Sequence, residues 1–217
     1  MFNVYINMIH IYLYQFNKQA VDFSHLLTKL PLNLQERIGR KKQKRKQLMS
    51  LIGYSLLQQA LEEDFNTPLN DIQFSDAGKP ILKNKAIQFN ISHCHNLVGV
   101  AISDKSVLGL DIEQFRKFEP IEAAFSFFSP VEQAAILRSS NPNQKLINFW
   151  SKKEALIKAI GGQMFDLAAS TDVRKSSTTW LQKDYYFYPI SYPFDGVIWL
   201  ASLFPDETVL VKKKTYL

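Results

Sequence analysis

The chain has 217 residues, of which 46% are apolar and 13% are aromatic, so it can bury a sizeable core in one large or two small domains, and disorder is not expected. The formal charge of +6 indicates an anionic partner: a nucleic acid, a membrane surface, a phosphorylated small molecule or an acidic protein. The single cysteine, Cys94, excludes an internal disulfide framework and fits a cytoplasmic location.

The N-terminal segment, residues 1–16, is apolar enough to resemble a signal peptide. It has no basic region at its start, Asn3, Asn7 and His10 interrupt it, and no small-residue cleavage site follows. Its β-branched, aromatic and bulky apolar residues favour a buried strand within residues 4–13. Elsewhere, no uncharged apolar stretch reaches the roughly 20 residues of a membrane helix, so we expect a soluble protein with no membrane partner.

A helical pattern of apolar residues begins at about Leu34 and continues through Leu51 and Leu56 to Ala60. Residues 36–46 (ERIGRKKQKRK) carry seven basic side chains in eleven positions. Such a run is either a solvated helix face or a surface that binds anions, and the sequence leaves both open.

The remaining elements are predicted from turn and capping signals. Residues 87–92 and 97–102 read as the strands of a hairpin, and residues 107–113, 185–188 and 197–203 read as further strands. Ser129 and Glu132 form a capping box around Pro130, and a later helix over residues 143–160 stops at Gly161. Strands and helices do not alternate strictly, so the predicted class is α+β.

The strand over residues 107–113 (VLGLDIE) carries two carboxylates on one face. A period of two places Gly109, Asp111 and Glu113 on that face, opposite the apolar side chains. The missing side chain of Gly109 suggests room for a bulky ligand. Like charges so close are costly unless a cation or base neutralises them, so the pattern predicts a cation beside Asp111 and Glu113.

The helix over residues 149–158 (FWSKKEALIK) adds a third carboxylate. A spacing of four puts Trp150, Glu154 and Lys158 on one helix face. Three carboxylates together form an oxygen-only ligand set that suits Mg²⁺. The simpler interpretation is that Glu154 and Lys158 form an ordinary surface pair and that the strand carboxylates are merely exposed.

Residues 89–93 (FNISH) end a strand in two groups that can contact phosphate, the hydroxyl of Ser92 and the imidazole of His93. His93, Cys94 and His95 could also suggest zinc. Three adjacent residues do not easily reach one tetrahedral ion, and no further His/Cys cluster completes the set, so zinc is disfavoured.

Five segments, in this order and spacing, closely resemble the phosphopantetheinyl transferases of the surfactin-synthetase-activating (Sfp) type: 78–80 (GKP), 89–93 (FNISH), 109–113 (GLDIE), 128–132 (FSPVE) and 149–158 (FWSKKEALIK). The resemblance covers roughly residues 34–162, and residues 163–217 match only loosely. It implies two similar α+β halves related by a pseudo-two-fold axis, with coenzyme A in the cleft between them. In this chain the halves would be residues 1–104 and 105–217, and the protein would be a monomer.

The resemblance also assigns roles to single residues. Asp111, Glu113 and Glu154 look like Mg²⁺ ligands, Glu154 like the base for a serine proton, and Lys158 like the group that steadies the leaving phosphate. The residues that the resemblance places on coenzyme A are Arg37, Ser50, Lys79, Ser92, His93, Asp111 and Lys158.

The implied reaction transfers the 4′-phosphopantetheine of coenzyme A to a serine of an apo acyl or peptidyl carrier protein, giving the holo form and 3′,5′-ADP. Such carriers are typically acidic, which a basic surface would attract. Two alternatives remain open. One is a metal-dependent nuclease or phosphoesterase, which would also use carboxylates and a lysine. The other is a non-catalytic nucleic-acid-binding module, which leaves the carboxylates unexplained because they repel phosphate.

Overall fold

The computed structural model describes residues 8–75, 78–83, 87–162 and 171–217. Its helices are α1 (Phe23–Lys29), α2 (Leu32–Gly39), α3 (Lys44–Phe65), α4 (Pro130–Leu137) and α5 (Pro142–Ile160). Its strands are β1 (Met8–Gln15), β2 (Ile72–Phe74), β3 (Pro80–Leu82), β4 (Gln88–Cys94), β5 (Leu97–Ser103), β6 (Leu108–Gln114), β7 (Ser177–Trp180), β8 (Lys183–Pro189), β9 (Gly196–Ser202) and β10 (Thr208–Lys214). The predicted α+β class is confirmed.

The strands form two four-stranded sheets and a small pair. The N-terminal sheet has the order β10-β1-β5-β4, and the C-terminal sheet has the order β6-β9-β8-β7; β2 and β3 pair with each other. β1 runs parallel to β10 and antiparallel to β5, and the C-terminal sheet is antiparallel throughout. The segment after β5 leads directly into β6, so it carries the chain from one sheet to the other.

Three apolar clusters place these elements in layers. One joins α1, α2 and α3 to one face of the N-terminal sheet, and another joins α4 and α5 to one face of the C-terminal sheet. The third lies between the sheets, where Ile11 and Leu13 of β1 meet Leu110 and Ile112 of β6. Because both faces of β5 are covered, every residue of that strand is buried.

Gly109 determines how closely α5 approaches β6. A Cβ atom at Gly109 would lie 2.1 Å from the carbonyl oxygen of Ala155 and 2.4 Å from the amide nitrogen of Ala159. The expectation that this glycine leaves room for a ligand is therefore wrong: the space is filled by the backbone of α5. The close contact brings the side chains of α5 within hydrogen-bonding distance of β6.

Several local predictions are confirmed. The predicted hairpin is β4 and β5, and the strand with the two carboxylates is β6. Ser129 and Glu132 form the complete capping box at the start of α4. Helix α5 ends at Ile160 and is capped by Gly161, whose φ of 73° lies in the left-handed region that glycine adopts without strain.

The apolar pattern from Leu34 to Ala60 belongs to two helices rather than one. Helix α2 ends at Gly39, and α3 begins at Lys44. The intervening residues lie in the basic run, where like charges one turn apart oppose a continuous helix. The side-chain amide of Gln47 donates to the carbonyl oxygens of Gly39 (3.4 Å) and Lys41 (2.8 Å). These bonds satisfy carbonyls between the end of α2 and the start of α3.

The first and last described strands, β1 and β10, both lie in the N-terminal sheet. The predicted N-terminal strand is β1, and the part of that prediction before Met8 falls outside the described residues. Strand β10 pairs with β1 in the same sheet, and its Lys212 and Lys214 bond to Asp64 and Glu63 of α3. The division into halves between residues 104 and 105 stays a prediction. Strand β10, which belongs to the second of these halves, lies in the N-terminal sheet.

Substituting Gly109 with alanine tests the contact between β6 and α5. The added methyl group would collide with helix backbone, which has no rotamer to relieve the clash, so Gly109→Ala should lower the free energy of unfolding by about 1 to 3 kcal/mol or more. Gly39→Ala is the matched control, since nothing lies within 4 Å of its Cβ position. Equal denaturation midpoints for Gly109→Ala and the wild type would refute the contact.

Candidate active site

The centre of the site is the carboxylate of Asp111, which is only 4% exposed. Its Oδ1 atom accepts a hydrogen bond from the ammonium of Lys158 at 2.7 Å, and its Oδ2 atom accepts one from the hydroxyl of Ser151 at 2.8 Å. Both donors lie on α5. The interpretation of Asp111 as a merely exposed carboxylate is therefore wrong, and Lys158 pairs with it.

Two polar side chains of β4 join the N-terminal sheet to β6. The side-chain oxygen of Asn90 accepts from the amide of Leu110 at 3.0 Å, and the hydroxyl of Ser92 accepts from the amide of Ile112 at 3.2 Å. Because both residues are buried, these bonds satisfy backbone groups that water does not reach. These two side-chain hydrogen bonds connect β4 to β6, which belong to different sheets.

Ser92 also connects directly to the central carboxylate. Its hydroxyl lies 3.4 Å from Oδ1 of Asp111 and 3.0 Å from the ammonium of Lys158. The hydroxyl thus donates to Asp111 and accepts from Lys158 and from a backbone amide. A phosphate contact by Ser92 stays a prediction, and it would require one of these bonds to give way.

Lys79 reaches across the junction from the loop before β3. Its ammonium donates to the carbonyl oxygen of Lys158 at 2.7 Å. That carbonyl is in the last turn of α5, where helix carbonyls lack a partner within the helix. Burial lowers the pKa of Lys79 from its ordinary value. Lys79 and Lys158 line a cavity of about 270 Å³, together with Gly78 and Gly162.

The other two predicted carboxylates lie near Asp111. Burial raises the pKa of Glu154; Lys158 opposes this effect, and the negative charges of Asp111 and Glu113 add to it. Glu113 is paired with Arg116, whose Nη1 atom is 2.7 Å from its Oε2 atom. The negative charges of Asp111 and Glu113 therefore both act on Glu154.

His93 lies at the exposed edge of this group. Partial removal of water from its ring lowers its pKa, and the positive charges of Lys158, Arg45 and Lys41 lower it further. A neutral imidazole among cations gains a proton readily when an anion arrives, because the anion offsets the repulsion.

Arg37 lies beside the loop that carries Lys79. Its guanidinium stacks 3.7 Å from the ring centroid of Phe74, and its Nη2 atom lies 3.7 Å from the Cβ position of Gly78. With Arg40 and Lys41 it lines a cavity of about 440 Å³. Ser50 is half-buried on α3, and its predicted contact with a nucleotide stays a prediction.

The predicted Mg²⁺ ligands agree with a hard cation in their chemistry. All three are carboxylates, which are the ligands that Mg²⁺ prefers. The ammonium of Lys158 already forms an ion pair with Asp111. In the described ranges, no group of three or more His, Cys, Asp or Glu side chains is arranged to hold a metal ion. Asp111 and Glu113 instead contact basic side chains, so a metal would have to compete with Lys158 and Arg116.

Sequence reasoning missed two residues of the site, Asn90 and Ser151. Asn90 shares the alternation of β4 with Ser92, and a buried strand with two polar side chains on one face signals a polar contact. Ser151 follows Trp150 in a helix and faces Asp111 only because Gly109 lets α5 approach. No local pattern in the sequence indicates that contact.

Ser92→Ala tests whether the hydroxyl holds the two sheets together. The substitution leaves the amide of Ile112 without its acceptor in a buried position, so the free energy of unfolding should fall by about 1 to 3 kcal/mol. Ser126→Ala, at an exposed serine, is the control and should leave the unfolding midpoint unchanged. A Ser92→Ala protein as stable as the control would contradict the bridging role.

Comparisons with known proteins give two family matches. Residues 107–194 match the family described as the 4′-phosphopantetheinyl transferase superfamily. Residues 15–105 match the family described as 4′-phosphopantetheinyl transferase, N-terminal. The two matches meet within the connection between β5 and β6.

Three curated relatives carry the same description in their names. The 4′-phosphopantetheinyl transferase AcpT of Salmonella typhimurium is 28% identical over 123 residues, which cover 55% of this chain and 62% of the relative. AcpT of Escherichia coli is 30% identical over 135 residues, 58% of this chain and 65% of the relative. The 4′-phosphopantetheinyl transferase HetI of Nostoc sp. is 35% identical over 96 residues, 41% of this chain and 40% of the relative.

The matched stretch spans less than two thirds of the length of each of these relatives. The two family matches, by contrast, together include most of this chain, and they contain every residue from Arg37 to Lys158 that the site comprises. The chain therefore belongs to the 4′-phosphopantetheinyl transferase superfamily.

Proposed function

We propose that this protein transfers the 4′-phosphopantetheine moiety of coenzyme A to a serine of an apo acyl or peptidyl carrier protein, releasing 3′,5′-ADP. The observation that carries the proposal is the cluster of Asp111, Glu113, Glu154 and Lys158 where α5 meets β6, beside the cavity that Lys79 lines. The names of the relatives support this reaction, and the Sfp subtype remains part of the proposal.

Coenzyme A would lie along the junction of the two sheets. Lys79 and Lys158 line its cavity, and His93 and Arg37 flank it with groups that attract phosphate. Ser50 and Ser92 complete the proposed contacts. Cations that converge on one cavity match a ligand with a pyrophosphate and a further phosphate, because each phosphate needs its own donors.

Asp111, Glu113 and Glu154 would hold Mg²⁺ in the working enzyme. When bound, the ion offsets the charge of the coenzyme A pyrophosphate and polarises it for attack. The carboxylate ligand set is of the kind that Mg²⁺ prefers. Asp111 is also anchored by Ser151, which orients its Oδ2 atom.

Glu154 would take the proton from the attacking serine. In the metal-free protein, burial and the negative charges of Asp111 and Glu113 raise the pKa of Glu154. A positioned carboxylate can accept a proton directly or through a water. Lys158 would stabilise negative charge on the departing 3′,5′-ADP, since Lys158 lines the same cavity. In this mechanism the protein would act by positioning the reactants and by stabilising the charge that develops on phosphate.

The partner would be an acidic carrier protein. The exposed basic side chains between Arg37 and Lys46 lie next to the proposed coenzyme A site and would steer such a partner toward it. Among the described residues, no helix is long and apolar enough to span a membrane. We place the protein in the cytoplasm, acting as a monomer, without a nucleic-acid or membrane partner.

The test is incubation of the protein with coenzyme A, Mg²⁺ and a panel of apo carrier proteins, followed by intact mass measurement. Transfer adds the mass of phosphopantetheine to at least one carrier and releases 3′,5′-ADP. Cleavage of DNA in the presence of Mg²⁺, together with unmodified carriers, would instead identify a nuclease. Binding of nucleic acid without turnover of either substrate would identify a binding module.

Glu154→Gln should reduce transfer by a factor of about 10² to 10⁴ while the protein stays folded. The amide does not accept the serine proton, and it is a poorer ligand for a hard cation. The metal-free melting temperature should not fall, because the substitution removes a charge that burial and the neighbouring charges of Asp111 and Glu113 disfavour. Glu122→Gln, at an exposed glutamate, is the control. Near-normal transfer by Glu154→Gln would exclude Glu154 as the base.

His93 should take up a proton when coenzyme A binds. Its lowered pKa keeps the ring neutral in the free protein near neutral pH, and a phosphate favours the charged ring, so binding raises the pKa. Affinity should therefore increase as the pH falls from about 8 to about 6. Calorimetry in two buffers of different ionisation enthalpy measures the proton uptake. Equal uptake by the wild type and His93→Gln would show that His93 does not contact phosphate.

A further inference from the structure

We propose that Lys79 is a positioning residue that acts through Lys158. Its ammonium holds the last turn of α5 against the loop before β3 and so fixes the place of Lys158 at the cavity that both residues line. The inference rests on the proposed function, because the phosphate that Lys158 would meet is that of coenzyme A. It replaces the role that the resemblance implies, in which Lys79 itself contacts coenzyme A.

The acceptor of Lys79 is a carbonyl that the helix leaves without a partner. A continuing helix would bond the carbonyl of Lys158 to the amide of Gly162. That amide bonds instead to the carbonyl of Ile157 at 3.2 Å, because Gly161 adopts a left-handed φ of 73°. The freed carbonyl of Lys158 accepts from the ammonium of Lys79 at 2.7 Å. A cation is also favourable at this end of a helix, where the dipole is negative.

The backbone of Lys79 is fixed by a tight turn. The amide of Lys79 donates to the hydroxyl of Ser75 at 3.1 Å, and the amide of Ser75 donates to the carbonyl oxygen of Lys79 at 2.9 Å. The amide of Gly78 donates to the carbonyl oxygen of Ser75 at 2.7 Å. Pro80, the next residue, pairs with Phe74 of β2. The side chain of Lys79 therefore reaches α5 from a fixed point on the N-terminal side of the junction.

Lys158 is held at both of its ends. Its ammonium donates to one acceptor on β4 and to two on β6, and its carbonyl accepts from Lys79. Helix α5 ends at Ile160, two residues later, and helix ends open more readily than helix interiors. Loss of the Lys79 bond would therefore loosen the main chain from which the ammonium of Lys158 extends.

A direct contact with phosphate is the competing role for Lys79. An ammonium has three N–H donors, and the carbonyl of Lys158 uses one of them. The two roles differ in what they require. Positioning has an effect on coenzyme A only while the ammonium of Lys158 is present, whereas a direct contact does not depend on Lys158.

The first measurement uses the free protein, without coenzyme A or metal. Lys79→Met should increase the hydrogen-exchange rates of the amides of Gly161 and Gly162 by about tenfold or more, because the helix end loses a charge-assisted hydrogen bond. With lysine labelled with ¹³C at the ε position, NMR should show a shift of the Lys158 resonance. The Lys153 resonance should stay in place, since Lys153 is fully buried in a separate ion pair of α5. An unchanged Lys158 resonance would overturn the proposal.

Lys83→Met is the matched control. It removes the exposed lysine that follows β3, so it changes the net charge by the same amount as Lys79→Met. The exchange rates and the Lys158 resonance should stay as in the wild type. An equal effect of Lys83→Met would mean that net charge, and not the bond to the carbonyl, controls the end of α5, and would also overturn the proposal. Lys79→Arg keeps a cationic donor and should retain most of the wild-type protection.

The second measurement separates positioning from direct contact. Calorimetry compares the coenzyme A affinity of the wild type, Lys79→Met, Lys158→Met and the double variant in one buffer. Positioning predicts that Lys79→Met weakens binding by about tenfold in the wild-type background and by less than about twofold in the Lys158→Met background. The same loss in both backgrounds would assign Lys79 a direct contact and overturn the proposal. If the wild type does not bind coenzyme A, the proposed function fails, while the exchange and NMR results still decide whether Lys79 positions Lys158.

Discussion

The buried carboxylate of Asp111 is the constraint on which the rest of the site depends. A charge with so little access to water needs compensation by nearby donors, and the fold supplies them from both sheets. Ser92 comes from β4, whereas Ser151 and Lys158 come from α5. Without the approach of α5 that Gly109 permits, two of these three donors would be out of reach. The packing of α5 on the C-terminal sheet and the charge compensation of Asp111 therefore depend on the same close contact at Gly109.

The junction between the sheets also explains why the site lies where it does. Asn90 and Ser92 bond to the backbone of β6 and so fix the position of β4 relative to β6. Asn90 also lines the cavity that contains Lys79 and Lys158. Lys79 adds a contact from the N-terminal side to the last turn of α5. A ligand bound there would touch both halves of the chain, so binding and the stability of the junction are coupled.

Sequence patterns predicted most of the local structure, because hairpins, capping boxes and glycine stops are encoded within a few residues. The β4–β5 hairpin, the Ser129 cap and the end of α5 at Gly161 are of this kind. Contacts between segments that are distant in the sequence were not predicted. The role of Gly109 was misjudged because it depends on a helix some 45 residues later in the chain, and the pairing of Lys158 with Asp111, rather than with Glu154 one turn away, depends on the same approach.

The central claim is that Asp111, Glu113 and Glu154 form one cation site at the junction and that coenzyme A lies in the adjoining cavity with a phosphate against Lys158. A crystal structure with Mn²⁺ and coenzyme A tests it most directly, since manganese is located by its anomalous scattering. The account predicts a single peak within bonding distance of the three carboxylates, with the ammonium of Lys158 on a phosphate oxygen. A peak elsewhere, or bound coenzyme A with no phosphate near Lys158, would contradict it.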